Sequence, residues 1–110
     1  MAVMTFKELQ DFIESQDALF RSLKSQSERE RVFARTIKLG EEYGELCNEV
    51  LASVGDQRKD KLNGKTRDLE GEFADVVIVA FMLAKAMNID IGTALAKKIK
   101  TIKEKHNKQL

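Results

Sequence analysis

Apolar side chains recur along this chain at intervals of three and four, the repeat of a helix that buries one face. The first stripe is Phe6, Leu9, Ile13, Gln16, Phe20 and Leu23. It follows Thr5-Phe6-Lys7-Glu8, where Thr5 can cap a helix and Glu8 can reach back to it. A first helix is therefore predicted over 5–24. Gln16 is the one polar member of the stripe, either a boundary position on the seam or a polar group facing a ligand. Ser25-Gln26-Ser27 breaks the pattern, and Ser25 or Ser27 can cap a second helix with Glu28 or Glu30 as its partner. Val32, Thr36, Leu39, Tyr43, Leu46, Val50 and Val54 then form one stripe on a helix of about 27 residues, roughly 40 Å long. The polar, glycine-bearing stretch from Gly55 to Lys65 reads as a loop. Thr66 can cap a third helix over about 67–87. Its run from Val76 to Ala84 is almost wholly apolar, as expected of a helix buried on all sides. Asn88-Ile89-Asp90 is the last turn. Asp90 caps a fourth helix with a narrow stripe of Ile91, Leu95, Ile99 and Ile102, and the chain is expected to fray past Lys105. The fold class is all-α, a four-helix, bundle-like single domain over 1–110.

Composition agrees with this. There is no Pro and no Trp, Gly is sparse, and hydrophobic and charged residues make up 43% and 34% of the 110 positions. A core this thin has difficulty covering an apolar helix completely, so a dimer or larger assembly is expected, with the third helix near the interface. The net charge of +1 gives no overall attraction to nucleic acid or acidic membranes. Six lysines (Lys97, Lys98, Lys100, Lys103, Lys105 and Lys108) crowd the last stretch, but without interleaved aromatics, so stable nucleic-acid binding is not expected. The N-terminus carries no secretory pattern, and the apolar run from Phe73 to Ala84 is too short to span a bilayer. One cysteine, Cys47, leaves no internal disulfide and no thiolate zinc site. A reducing cytoplasm is the simplest compartment, and Cys47 is expected to be a buried structural thiol.

The charges that do not fit a solvated face are acidic. Glu42 and Glu45 are three apart, as are Glu72 and Asp75, so each pair shares a helix face. Lys38, Glu42, Glu45 and Glu49 fall on a flank beside the apolar stripe of the second helix, whereas Glu41 points further toward solvent. Gly40 and Gly44 interrupt the same helix at about 1 kcal/mol each, which suggests close approach of a helix or a ligand. If the second and third helices pack antiparallel, the four carboxylates converge. Two like charges at about 4 Å repel by about 4 kcal/mol at an effective dielectric near 20, so a cation is needed. All-oxygen ligation indicates Mg²⁺, with Mn²⁺ as a substitute, and such an ion keeps open positions that suit phosphate. The lone His106 excludes a Glu-x-x-His di-iron centre. Arg58, Lys59, Lys61 and Lys65 either meet phosphate or form a solvated charge run.

Leu39-Gly40-Glu41-Glu42-Tyr43-Gly44-Glu45-Leu46, then Glu72-Phe73-Ala74-Asp75-Val76-Val77-Ile78 and Asn88-Ile89-Asp90-Ile91, resemble the MazG-type all-α nucleoside triphosphate pyrophosphohydrolases. The resemblance covers most of the chain. It implies hydrolysis of (deoxy)nucleoside triphosphates to monophosphate and pyrophosphate, as house-cleaning of the nucleotide pool. It also implies Glu42, Glu45, Glu72 and Asp75 as Mg²⁺ ligands, with Glu41 and Glu42 acting on the attacking water or on the ligands themselves. Lys38 and Lys98 would face the phosphates, and the protein would be a homodimer or homotetramer. The chain departs from the pattern at Ile102, where members often place an Asn, and at Glu49, where a small residue is more usual. Glu49 is either a fifth acidic ligand or a solvated neighbour. Base recognition is left open among Phe12, Phe20, Phe33 and Tyr43, each equally explicable as core. Two other readings remain: a sibling activity such as phosphoribosyl-ATP pyrophosphohydrolase, and a non-enzymatic helical module whose acid cluster binds a basic partner.

Overall fold

The computed structural model describes residues 2–55 and 68–109. They form four helices and, among the described residues, no strand: α1 Phe6–Leu23, α2 Glu28–Ser53, α3 Leu69–Ala86 and α4 Ile91–Gln109. Both N-terminal boxes form. The Thr5 hydroxyl accepts from the Glu8 amide while Glu8 accepts from the Thr5 amide, and Ser27 and Glu30 do the same for α2. The hydrogen bond to Ser27 holds the Glu30 carboxyl below its ordinary range. Thr66 and nearly all of the expected 55–65 loop lie outside the described residues. The third helix begins at Leu69, capped by the Asp68 side chain on the Gly71 amide at 2.9 Å. Asn88, at φ 57, ends α3 in the left-handed conformation that short polar side chains tolerate. The amides of Asn88 and Ile89 close back on the carbonyls of Lys85 and Ala84 at 3.1 and 2.9 Å, a Schellman turn. Asp90 then caps α4, accepting from the Thr93 amide at 3.1 Å. Instead of fraying past Lys105, α4 continues to Gln109 with His106 exposed on it.

Helices α2 and α3 make the main packing layer and α1 lies against α3. Their junction is polar. Asp17 of α1 is buried against Arg35 of α2, at 2.8 Å, and also binds Arg21 at 2.8 Å. Arg35 Nη1 donates to the Met82 carbonyl of α3 at 2.8 Å, so one guanidinium joins three helices. Burial acts to raise the Asp17 pKa, but the bonds from Arg21 and Arg35 outweigh it and leave the carboxyl below its ordinary value. Lys85 adds a bond from α3 to Glu14 of α1 at 2.7 Å. Phe6 meets Phe81 edge-on at 6.0 Å and sits close over Gly92, where a Cβ would stand 3.2 Å from its ring.

The face that α2 turns toward α3 is offset from the apolar stripe. Arg31, Arg35, Glu42 and Ala52 are buried, while Thr36, Tyr43 and Val54 of the expected stripe are exposed. A Cβ at Gly40 or Gly44 would meet no other described part of the chain within 4 Å, so among the described residues they serve no close approach. Nor is α3 buried all round: Met82, Ala84 and Ala86 are, but Phe73 is 53% exposed. Cys47 is half-buried, and its bond to the Tyr43 hydroxyl raises the pKa of that phenol. The fourth helix leaves α3 at 112° and packs only marginally on the other helices, which exposes Leu95, Ile99 and Ile102. The radius of gyration, 17.4 Å, exceeds the roughly 13 Å of a compact domain of this length. No single helix among the described residues is long and apolar enough to cross a membrane.

Breaking a buried ion pair from one side leaves a charge without compensation. Asp17→Ala is therefore expected to cost about 3 kcal/mol, read as a lower urea midpoint with an unchanged slope. Asp17→Asn, which keeps an acceptor for Arg35, should lose less.

Candidate metal centre

The register set at Arg35 and Met82 carries down the α2–α3 pair. Glu42 lies seven residues after Arg35, and Asp75 seven before Met82. Each is about 10.5 Å from the tie along its helix, so in an antiparallel pair the two meet. Three residues further along, Glu45 comes opposite Glu72. The side chains follow this register. One carboxylate oxygen each from Glu42, Glu72 and Asp75 lies within 4.8 Å of the others, and a second group of the same kind joins Glu41, Glu42 and Glu45. Glu42 belongs to both groups and is buried, whereas Glu41, Glu45 and Asp75 are exposed and Glu72 is half-buried.

Lys38 stands at the edge of the centre, its ammonium 3.1 Å from Glu42 and 3.4 Å from Glu41. Hydrogen bonds to Glu42 and then to Glu41 raise its pKa. Among the described residues, the Oε2 atoms of Glu42, Glu49 and Glu72 are buried without a hydrogen-bond partner. Burial pushes the Glu72 carboxyl above its ordinary 4.5, and the charges of Glu45, Asp75, Glu42 and Glu49 push it the same way. Glu49 thus lies near enough to act on Glu72, although it is outside both close groups.

These groups suit a hard divalent cation. Octahedral coordination at about 2.1 Å puts opposite ligand oxygens about 4.2 Å apart, so small rotamer changes would close carboxylates already within 4.8 Å. The donors are all oxygens, as suits Mg²⁺ or Mn²⁺, and Oε2 of Glu42 and of Glu72, without a hydrogen bond among the described residues, are what a cation would satisfy.

Of the residues anticipated for the site, Glu41, Glu42, Glu45, Glu72, Asp75 and Lys38 come together. Lys98 does not join them by any described contact: it is exposed on α4, the helix that diverges from the others. The stripe reading missed Arg31, Arg35 and Asp17. A signal was present, since Arg31, Arg35, Lys38, Glu42, Glu45 and Glu49 recur at three and four along α2, three cations followed by three anions. Asp17 likewise lies four residues after Ile13 and three before Phe20.

No family model matches this chain, and neither a curated protein nor a solved structure matches it.

The Glu72 shift fixes a direction for pH. A carboxyl whose pKa is raised on folding binds its proton more tightly in the folded state. It favours folding most when protonated, and that contribution is lost as pH rises from its ordinary 4.5 through the higher folded value. Asp17, shifted the other way, removes stability only when pH falls below its ordinary 3.8. The metal-free protein should therefore melt at a higher temperature near pH 5 than at pH 7. Added Mg²⁺ or Mn²⁺ should raise the pH 7 melting temperature and flatten the difference. Differential scanning fluorimetry across pH, with and without metal, checks both outcomes.

Proposed function

We propose that the chain is a Mg²⁺-dependent, MazG-type nucleoside triphosphate pyrophosphohydrolase that clears unwanted nucleotides from a cytoplasmic pool. The observation that carries this reading is the meeting of Glu42, Glu72 and Asp75 from two helices, with Oε2 of Glu42 and of Glu72 buried and without a hydrogen-bond partner among the described residues. A centre that binds metal and phosphate leaves them for its ligands.

In the reaction, water attacks the α-phosphorus and the α–β anhydride bond breaks. Nucleoside monophosphate and pyrophosphate leave, and the water's protons pass to solvent or to a nearby carboxylate. Bound Mg²⁺ would supply neutralisation of phosphate charge and a lowered pKa for the attacking water. Glu42, Glu45, Glu72 and Asp75 would hold the cation. Glu41 is exposed beside Glu42 and tethered by Lys38, so it is placed to orient the water or accept its proton. Lys38 exchanges part of its carboxylate pairing for phosphate when substrate arrives. Glu49 supports the site through its charge.

A homodimer or homotetramer is part of the reading. Phe33, Ile37, Tyr43 and Leu51 of α2, Phe73 and Val77 of α3, and the Leu95–Ile99–Ile102 stripe of α4 are exposed apolar positions that a second copy would cover. Sedimentation should report no monomer at micromolar concentration.

The decisive assay is a panel of ribo- and deoxyribonucleoside triphosphates with Mg²⁺, with phosphoribosyl-ATP included. Pyrophosphate is expected as the product. Glu42→Gln and Asp75→Asn should each lower its release on the order of 10²-fold or more, with helicity unchanged by circular dichroism. Orthophosphate as product, or activity that survives both substitutions, rejects the reading.

A further inference from the structure

Beside the carboxylates, between α1, α2 and α3, lies a cleft of about 350 Å³, a size usual for small-molecule sites. Its walls include Gln16, Phe20, Arg31, Arg35, Lys38 and Met82. One part is apolar, with Ile78 and Val79 beside Phe20 and Met82. The rest is cationic. Lys38 connects the two regions, since it lines the cleft and binds Glu41 and Glu42 of the centre.

Two polar groups give the cleft chemical direction. Arg35 is buried, at 7% relative exposure, and its Nη1 is committed to Asp17 and the Met82 carbonyl. Its Nη2 is also buried and, among the described residues, has no hydrogen-bond partner, as is true of Asp17 Oδ1 in the same ion pair. A guanidinium nitrogen only donates, so this group calls for an acceptor. Gln16 is the single polar position in the α1 stripe and offers both a donor and an acceptor. A flat ring against the apolar wall, presenting a carbonyl oxygen and an adjacent ring N–H, satisfies both. The cations favour a ligand that also carries negative charge.

We propose that this cleft is the nucleoside subsite of the metal centre and that it selects bases with a lactam edge: uracil, thymine or guanine over adenine. Identification of the ligand as a nucleotide rests on the pyrophosphohydrolase reading. The base carbonyl accepts from Arg35 Nη2, the ring N–H donates to the Gln16 amide oxygen, and Phe20 and Met82 cover the ring. Lys38 meets the phosphate nearest the sugar. Adenine presents an amino group where the lactams present a carbonyl, which sets donor against donor at Arg35. Phe20 is thereby the base-contacting aromatic, and Phe12, Phe33 and Tyr43 are not.

The test measures binding of nucleoside monophosphates, which the proposed reaction does not consume. Calorimetry on the full chain with Mg²⁺ uses UMP, GMP, AMP and inorganic phosphate as probes. UMP and GMP should bind on the order of tenfold more tightly than AMP or phosphate. Gln16→Leu removes the acceptor for the ring N–H but not the clash at Arg35, so it should weaken UMP several-fold and narrow its lead over AMP while leaving the metal-induced rise in melting temperature intact. Arg35→Lys, which keeps the charge but not the second nitrogen, should do the same if it folds, and Gln16→Leu decides the matter if it does not. Equal affinity for UMP and AMP, phosphate binding as tightly as UMP, no binding of any probe, or an unchanged preference in Gln16→Leu overturns the proposal. Selective binding without pyrophosphate release would reject the hydrolase reading alone. Pyrophosphate release at equal efficiency from UTP and ATP would reject the cleft assignment alone.

Discussion

Arg35 places one guanidinium among three helices, and the rest of the molecule takes its register from it. Asp17 supplies the counter-charge from α1 and the Met82 carbonyl supplies an acceptor from α3. Removing such a group from water is costly, and the cost is offset only when partners stand in fixed directions. A half-turn slip of α2 against α3 would strand the guanidinium. It would also separate Glu42 from Asp75, two turns away. The pair that fixes the packing therefore fixes the geometry of the carboxylates, although it takes no part in their chemistry.

The charge order along α2 gives that geometry its use. Arg31, Arg35 and Lys38 face α3 where α3 is apolar, and Glu42, Glu45 and Glu49 face it where α3 begins with Glu72 and Asp75. The first half makes a cleft with cationic and apolar walls, and the second an anionic site with hydrogen-bonding capacity unspent. A magnesium nucleotide, the ligand proposed above, would match this distribution: a flat apolar ring, anionic phosphates and a divalent cation. Placing Glu72 and Asp75 in the first half of α3 eases the crowding of negative charge, because the positive end of the helix dipole lies there. The dipole does not remove the strain, as the upward shift of Glu72 indicates.

Local features were legible in the sequence. The two capping boxes, the Asp90 cap and the helix spans follow from short-range rules, and the structure departs from them by a few residues at the ends. The carboxylate pairs were legible too, because spacing on a helix fixes which side chains share a face. The buried face of α2 was not, since a stripe drawn through Val32, Thr36 and Tyr43 assumes that apolar residues mark the seam. Here the seam is drawn partly by Arg35 and Glu42, whose burial depends on partners 47 and 33 residues away, Met82 and Asp75. Gly40 and Gly44 were expected at a close contact and, among the described residues, stand open, on a helix that also exposes Phe33, Ile37, Tyr43 and Leu51. The straight course of α4 to Gln109 was hidden by its lysines, which favour helix as readily as they favour solvent.

Everything proposed for this chain depends on Glu42, Glu72 and Asp75 forming a divalent-cation site. Anomalous diffraction from crystals soaked in Mn²⁺ tests this without reference to substrate or turnover. The expected result is a peak about 2.2 Å from oxygens of Glu42, Glu72 and Asp75, absent from a Glu72→Gln crystal treated identically. A saturating soak that leaves the carboxylates without a peak, or a peak that persists in Glu72→Gln at full height, would contradict it.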